Sequence, residues 1–77
     1  MKVKDVEISE AQVEAMRGAM SAKFRASDIV SAAELAGVPT GEVSMRAADR
    51  LIQAERKRGR IRVTTPPFWA RVEGRAN

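Results

Sequence analysis

The residues able to do chemistry in this chain are fourteen arginines and lysines and ten carboxylates, because histidine and cysteine are both absent. Without imidazole or thiol groups, the sequence lacks the bases, nucleophiles and metal ligands that most enzymes use. Its acidic residues form no pair that favours acid–base catalysis over helix capping or ion pairing. We therefore expect no enzymatic activity, no metal site and no cofactor, and we look to the cations for function.

These cations are concentrated in the C-terminal half. Residues 1–45 carry five Lys or Arg against seven Asp or Glu, whereas residues 46–77 carry nine against three. The formal net charge of the whole chain is +4. This asymmetry predicts an anionic partner that faces the C-terminal half.

Length and hydropathy limit the number of domains and the kinds of segment that this chain can contain. A chain of 77 residues is expected to form one small domain. No apolar run approaches the roughly 18 residues of a membrane span, and the first residues lack the apolar core of a signal peptide. We expect a cytoplasmic protein, monomeric or homodimeric, with no membrane partner.

Capping residues and apolar spacing predict a first helix. Residues 1–8 alternate only loosely and are interpreted as a short strand or a lead-in. Ser9 and Gln12 then have the spacing of a capping box, and the helix is expected to end near Met20 or Ser21. Phe24 follows in a brief extended segment and is expected in the core.

Two further helices are predicted in the middle of the chain. Ser27 is the expected N-cap of the second helix, and Gly37 supplies the left-handed residue that ends it. Thr40 is the expected N-cap of the third helix, which should run from Gly41 to about Arg58. This third helix is the longest element and carries several of the cations.

The remaining residues predict a β-hairpin. Segments 60–64 and 68–72 alternate with period two, and the prolines between them favour a turn. Ile61 and Val63 are expected to face the core, which turns Arg62 outward. Residues 74–77 are predicted to be a flexible tail.

Three predicted helices are followed by a predicted β-hairpin, and small and apolar residues recur across the second and third helices. The residues that carry this pattern are Ala33, Gly37, Val38, Val43 and Ala47. Over residues 9–73 the chain resembles the winged helix-turn-helix family of DNA-binding domains. The resemblance implies an α+β, mainly α fold, a three-helix bundle with a C-terminal β-hairpin. In that family the third helix enters the major groove, and the hairpin, or wing, lies along the backbone or minor groove.

The resemblance and the helical period together select the residues expected at DNA. Arg can contact guanine, and Gln adenine, through paired hydrogen bonds, while Lys and Arg hold phosphates. The predicted DNA-binding residues are Thr40, Ser44, Arg46, Arg50, Gln53, Lys57, Arg60 and Arg62. Arg71 on the returning strand is a further candidate contact, although the hairpin tip itself carries no positive charge.

The sequence thus predicts a small protein that binds double-stranded DNA, either a transcriptional regulator or a DNA-associated accessory protein. Two alternatives stay open. The chain could be a protein–protein interaction module that docks through Met45 and Trp69, or a basic domain that binds RNA. Trp69 is more simply interpreted as a core residue, since small domains commonly bury their aromatic side chains.

Overall fold

The computed structural model describes residues 1–72. The elements in chain order are β1 (Lys2–Val3), β2 (Val6–Glu7), α1 (Glu10–Gly18), α2 (Ala26–Leu35), α3 (Glu42–Lys57), β3 (Ile61–Val63) and β4 (Trp69–Arg71). The fold is α+β and mainly α, with three helices followed by an antiparallel two-stranded sheet, as predicted. The predicted tail, residues 74–77, lies outside the described part of the chain.

The N-terminal residues form a small hairpin. β1 and β2 pair antiparallel with Val3 opposite Val6, joined by Lys4 and Asp5, whose φ angles are 47° and 67°. Positive φ at both central residues suits the right-handed twist of a two-residue hairpin. Val3 and Ile8 are buried in the core, so this segment is an integral part of the domain.

Helix α1 begins as predicted and ends earlier. The Ser9 hydroxyl accepts the Gln12 N–H at 3.1 Å, and the Gln12 side chain accepts the Ser9 N–H at 2.9 Å. The helix ends at Gly18 rather than near Met20 or Ser21. The backbone beyond it is recruited by β4, since the Arg71 N–H donates to the Ser21 carbonyl at 3.0 Å.

Helix α2 begins one residue before its predicted cap. Ser27 lies inside the helix, and Arg25 occupies the N-cap position. The Asp28 carboxylate accepts the Arg25 N–H at 2.8 Å, which satisfies the helix start from inside its first turn. Phe24 is held by two backbone hydrogen bonds to Trp69, so the chain must turn into the helix directly after it.

The turn between α2 and α3 depends on two glycines with positive φ. Gly37 has φ +98°, and the Val38 N–H donates back to the Ala33 carbonyl at 3.0 Å, as expected for a glycine-ended helix. Gly41, with φ +95°, is the N-cap of α3. The prediction that Thr40 caps this helix is wrong, because no side chain supplies the cap.

The core lies between the helices and one side of the C-terminal hairpin. α2 packs against both α1 and α3, and β3 packs against α3. Phe24 is buried and pairs with Trp69 through an isolated antiparallel bridge, which attaches the hairpin to the segment between α1 and α2. Ile61 is buried as predicted, but Val63 is 46% exposed, because β3 extends beyond the core before it reaches the turn.

None of the helices among residues 1–72 is long and apolar enough to cross a membrane.

Candidate nucleic-acid interface

Four of the five predicted binding residues of α3 share one exposed face. Arg46, Arg50, Gln53 and Lys57 are all exposed, and 100° per residue places them within about 60° of arc. They span about 16 Å along the helix axis at 1.5 Å per residue. We call these four residues the α3 stripe. The opposite side of the helix is buried against the core, so the stripe faces away from the bundle.

Acidic residues moderate the charge of the α3 stripe. Glu42 accepts a hydrogen bond from Arg46 Nε at 3.1 Å and lies 3.5 Å from Lys4 Nζ. The hydrogen bond from Arg46, together with the Lys4 charge, holds the pKa of the Glu42 carboxyl below its ordinary value. Like any glutamate of ordinary pKa, Glu42 is ionised at neutral pH, and it competes with any anionic ligand for these two cations. Asp49 is a second exposed acid on this helix.

The N-terminal hairpin borders the stripe, which the sequence did not reveal. Arg50 Nη1 donates to the Lys2 carbonyl at 2.8 Å, so β1 lies against the middle of α3. Arg50, Gln53 and Lys57 line a shallow groove of about 440 Å³ beside Met1. The only signal available in the sequence was the apolar spacing of residues 3, 6 and 8, which is short and ambiguous.

Ser44 does not belong to this exposed face. It is completely buried, and its hydroxyl donates to the Glu34 carboxylate at 2.8 Å. The expectation that Ser44 contacts DNA is therefore corrected, because its hydroxyl joins α3 to α2 within the protein. Thr40, by contrast, is exposed just before α3 begins.

The arginines in and beside the C-terminal hairpin differ in whether they contact other parts of the protein. Arg62 is exposed on β3, as predicted. Arg60 instead donates to the Glu55 carboxylate at 3.0 Å. Arg71 donates from Nε to the Met20 carbonyl and from Nη2 to the Arg17 carbonyl, both at 2.7 Å. Arg71 thus fastens β4 to the end of α1, and its guanidinium is committed to the protein itself.

Glu55 is the charged residue that sequence reasoning missed. Its side chain is only 4% exposed, and its carboxylate lies 3.3 Å from Arg17 Nε and 3.0 Å from Arg60 Nη1. Burial lowers the pKa of Arg17, but its hydrogen bonds to Glu14 and Glu55 outweigh that effect and hold the pKa above its ordinary value. The helical period could have indicated this burial, because it places Glu55 one turn beyond the buried Leu51 on the same side of α3.

Met45 and Trp69, the two residues proposed for protein docking, differ in how far they are buried. Met45 is 61% exposed on α3, whereas Trp69 is half-buried and packs against the core. The Arg56 guanidinium lies 6.0 Å from the centre of the Trp69 ring. Trp69 therefore has the structural role that was preferred from sequence, and Met45 is the exposed apolar residue of α3.

Among residues 1–72, no group of three or more acidic side chains is placed to hold a metal ion. The comparisons with known proteins found no match: no protein-family model, no curated protein and no solved structure matches the chain. The class of molecule is defined by the fold alone, an α+β domain of three helices and a C-terminal hairpin.

Proposed function

We propose that this chain is a winged-helix protein that binds double-stranded DNA, with the α3 stripe in the major groove. The observation that carries the proposal is the alignment of Arg46, Arg50, Gln53 and Lys57 on one exposed face. An α-helix fits the major groove of B-DNA, where Arg and Gln can read base edges and Lys can hold phosphate. Such a protein serves as a transcriptional regulator or as a DNA-associated accessory protein.

The position of the hairpin supports this assignment. β4 is attached to the segment between α1 and α2 through Phe24 and Trp69, and β3 packs against α3. The hairpin is therefore held beside the helix that carries the stripe. Arg62 is exposed on its first strand and is suited to a backbone phosphate.

The wing contributes position more than sequence specificity. The turn between β3 and β4 comprises residues 64–68, none of which is charged. A narrow minor groove attracts inserted arginines, and this tip has none to insert. We propose that the wing touches the backbone and that α3 supplies the base contacts.

Fluorescence anisotropy with a labelled mixed-sequence duplex tests the proposal. We expect Arg46→Gln to weaken binding about tenfold, since one Arg contact to a base or phosphate is lost. Arg58→Gln is the matched control, because Arg58 and Arg46 have side-chain exposures of 56% and 60% and each has an acidic neighbour on its own helix. Arg58 lies about 120° around the helix axis from Arg46, so its loss should change duplex affinity less than twofold.

The other outcomes separate the alternatives. Equal losses from both substitutions would contradict a specific role for the α3 stripe and indicate general attraction between opposite charges. Tighter binding to single-stranded or A-form RNA than to the duplex would favour the RNA-binding alternative. If neither nucleic acid binds at 50 mM salt, the DNA proposal fails, and the exposed Met45 becomes the first residue to test for protein docking.

A further inference from the structure

A second cationic surface lies away from the α3 stripe. It is a cleft of about 620 Å³ between the C-terminal ends of α1 and α3 and the start of β3. Four arginines of residues 1–72 line it: Arg17, Arg58, Arg60 and Arg71. We call this the arginine cleft. Its volume falls within the range of small-molecule sites in proteins.

The charges that residues 1–72 bring to the arginine cleft do not cancel. Within this described part of the chain, its acidic lining residues are Glu14 and Glu55, against the four arginines, so this lining carries two positive charges in excess. Glu55 is the buried member, and its hydrogen bonds hold Arg17 and Arg60 in place. Because the carboxylate orients these guanidiniums without neutralising the whole group, the cleft is prepared for an additional anion.

Donor groups remain for such an anion. Each guanidinium carries five N–H bonds. Arg17 donates to carboxylates from Nε and Nη1, whereas Arg60 donates only from Nη1 among the described contacts. Arg58 Nη1 lies 4.0 Å from the Glu55 carboxylate, beyond hydrogen-bonding distance, and its side chain is 56% exposed. Within the described residues, Arg58 is therefore the cleft guanidinium most free to bind a ligand.

Helix dipoles account for only part of this arrangement. Cations near the C-terminal end of a helix are stabilised by its partial negative charge. At α1 this role is filled by Arg71, which donates to the Arg17 and Met20 carbonyls. At α3 it is filled by Arg56 and Lys57, which lie in the last turn outside the cleft, and by Arg58 at the C-cap. Arg60 lies beyond the helix and comes in addition.

We propose that the arginine cleft binds the phosphate group of a small phosphate monoester. A phosphate dianion matches the two excess charges, and its oxygens accept the forked hydrogen bonds that guanidinium groups donate. The volume of the cleft leaves space for the organic part of the ester beside the phosphate. The site is separate from the proposed DNA-binding face and does not depend on it.

Amide NMR titration of the labelled full chain tests this site. Inorganic phosphate, glucose 6-phosphate and glucose are added separately at constant ionic strength. We expect saturable shifts with both phosphates, centred on the Gly18, Gly59 and Arg60 amides, and none with glucose. Comparing the two phosphates distinguishes a site for the free ion from a site for the ester. Shifts with inorganic phosphate but not with glucose 6-phosphate would overturn the proposed ligand class.

The same pair of variants then locates the binding. Arg58→Gln should weaken glucose 6-phosphate binding about tenfold through the lost charge-assisted hydrogen bonds, while Arg46→Gln leaves it unchanged. The DNA experiment expects the opposite order, so the failure of one proposal is distinguishable from the failure of the other. Equal weakening by both variants, or shifts spread over the whole surface, would show general ion attraction and overturn the proposed site. A dispersed amide spectrum for each variant confirms that it is folded.

Discussion

At the scale of single residues, the same side-chain type has different roles according to burial. Arg46 is exposed on the α3 stripe, whereas Arg71 is committed to two backbone carbonyls at the end of α1. Glu55 and Glu42 differ in the same way, since the first is buried among arginines and the second is exposed beside them. Substitutions at such pairs should therefore have separable effects on folding and on binding.

Glu55→Gln should destabilise the fold. Removing one partner of a buried ion pair commonly costs ~3–5 kcal/mol, and the partial exposure of the arginines here reduces the expected loss to about 2 kcal/mol. In a domain of this size that loss lowers the melting temperature by about 10 °C. Thermal unfolding by circular dichroism measures it. Glu14→Gln is the control, because Glu14 contacts the same Arg17 but its side chain is 64% exposed, so an equal loss there would refute the importance of burial.

Glu42→Gln should have the opposite type of effect, on binding rather than folding. The ionised Glu42 carboxylate pairs with Arg46 and Lys4, and these contacts lower its pKa. Removing its charge frees both cations and should raise duplex affinity about threefold to fivefold. Anisotropy at low salt measures the change. Glu10→Gln on α1 makes the same change of net charge, and a comparable gain there would argue against a local effect.

At the scale of elements, backbone geometry determines how α3 is presented. The turn from α2 to α3 depends on the positive φ of Gly37 and Gly41. The Gln12 side chain closes over this turn by donating to the Ala36 carbonyl at 3.1 Å, so the first helix also supports it. The orientation of the α3 stripe is thus set by a short segment that is tied to α1.

Gly37→Ala should weaken this turn. The φ of +98° disfavours any residue with a Cβ, and the added methyl group would lie 3.4 Å from Gln12 Nε2. We expect a loss of about 1–2 kcal/mol in the free energy of unfolding, measured by urea denaturation. Gly18→Ala is the matched control, since a Cβ there meets no atom within 4 Å and φ is not in the positive region. It should be neutral or stabilising by up to ~0.5–1 kcal/mol, and similar losses at both positions would contradict the explanation.

At the scale of the whole molecule, charge is distributed over separate surfaces. Residues 1–72 measure 34 × 24 × 18 Å along their principal axes, so opposite sides of the bundle can meet different ligands. The α3 stripe and Arg62 are proposed for DNA, while the arginine cleft is proposed for a phosphate monoester. With a formal net charge of only +4, local arrangement matters more than total charge.

The salt dependence of duplex binding tests how many cations meet phosphates. If four of them do, the plot of log affinity against log salt should have a slope of about −3.6. This corresponds to about a hundredfold loss between 50 and 200 mM salt. Anisotropy titrations at several salt concentrations give the slope directly. A slope near zero would contradict phosphate contacts and leave protein docking as the better explanation.

Local chemistry in the sequence was sufficient for much of the fold. The capping box of Ser9 and Gln12 and the left-handed Gly37 were predicted because each motif satisfies backbone groups only a few residues away. The burial of Ile29, Ala33 and Leu51 followed from helical periodicity for the same reason. The exposed face of α3 was also predicted, apart from Ser44.

What only the tertiary structure decided depends on contacts between residues far apart in the chain. The early end of α1 and the internal role of Arg71 come from a pairing across more than fifty residues. The position of the N-terminal hairpin against Arg50 and the burial of Ser44 against Glu34 are also contacts between elements. Periodicity states which side of a helix is apolar, but it does not state which partner covers a polar residue at the edge of that side. For this reason the sequence by itself determined the helices and their exposed charges, while the packing of the elements decided which of those charges are free to bind.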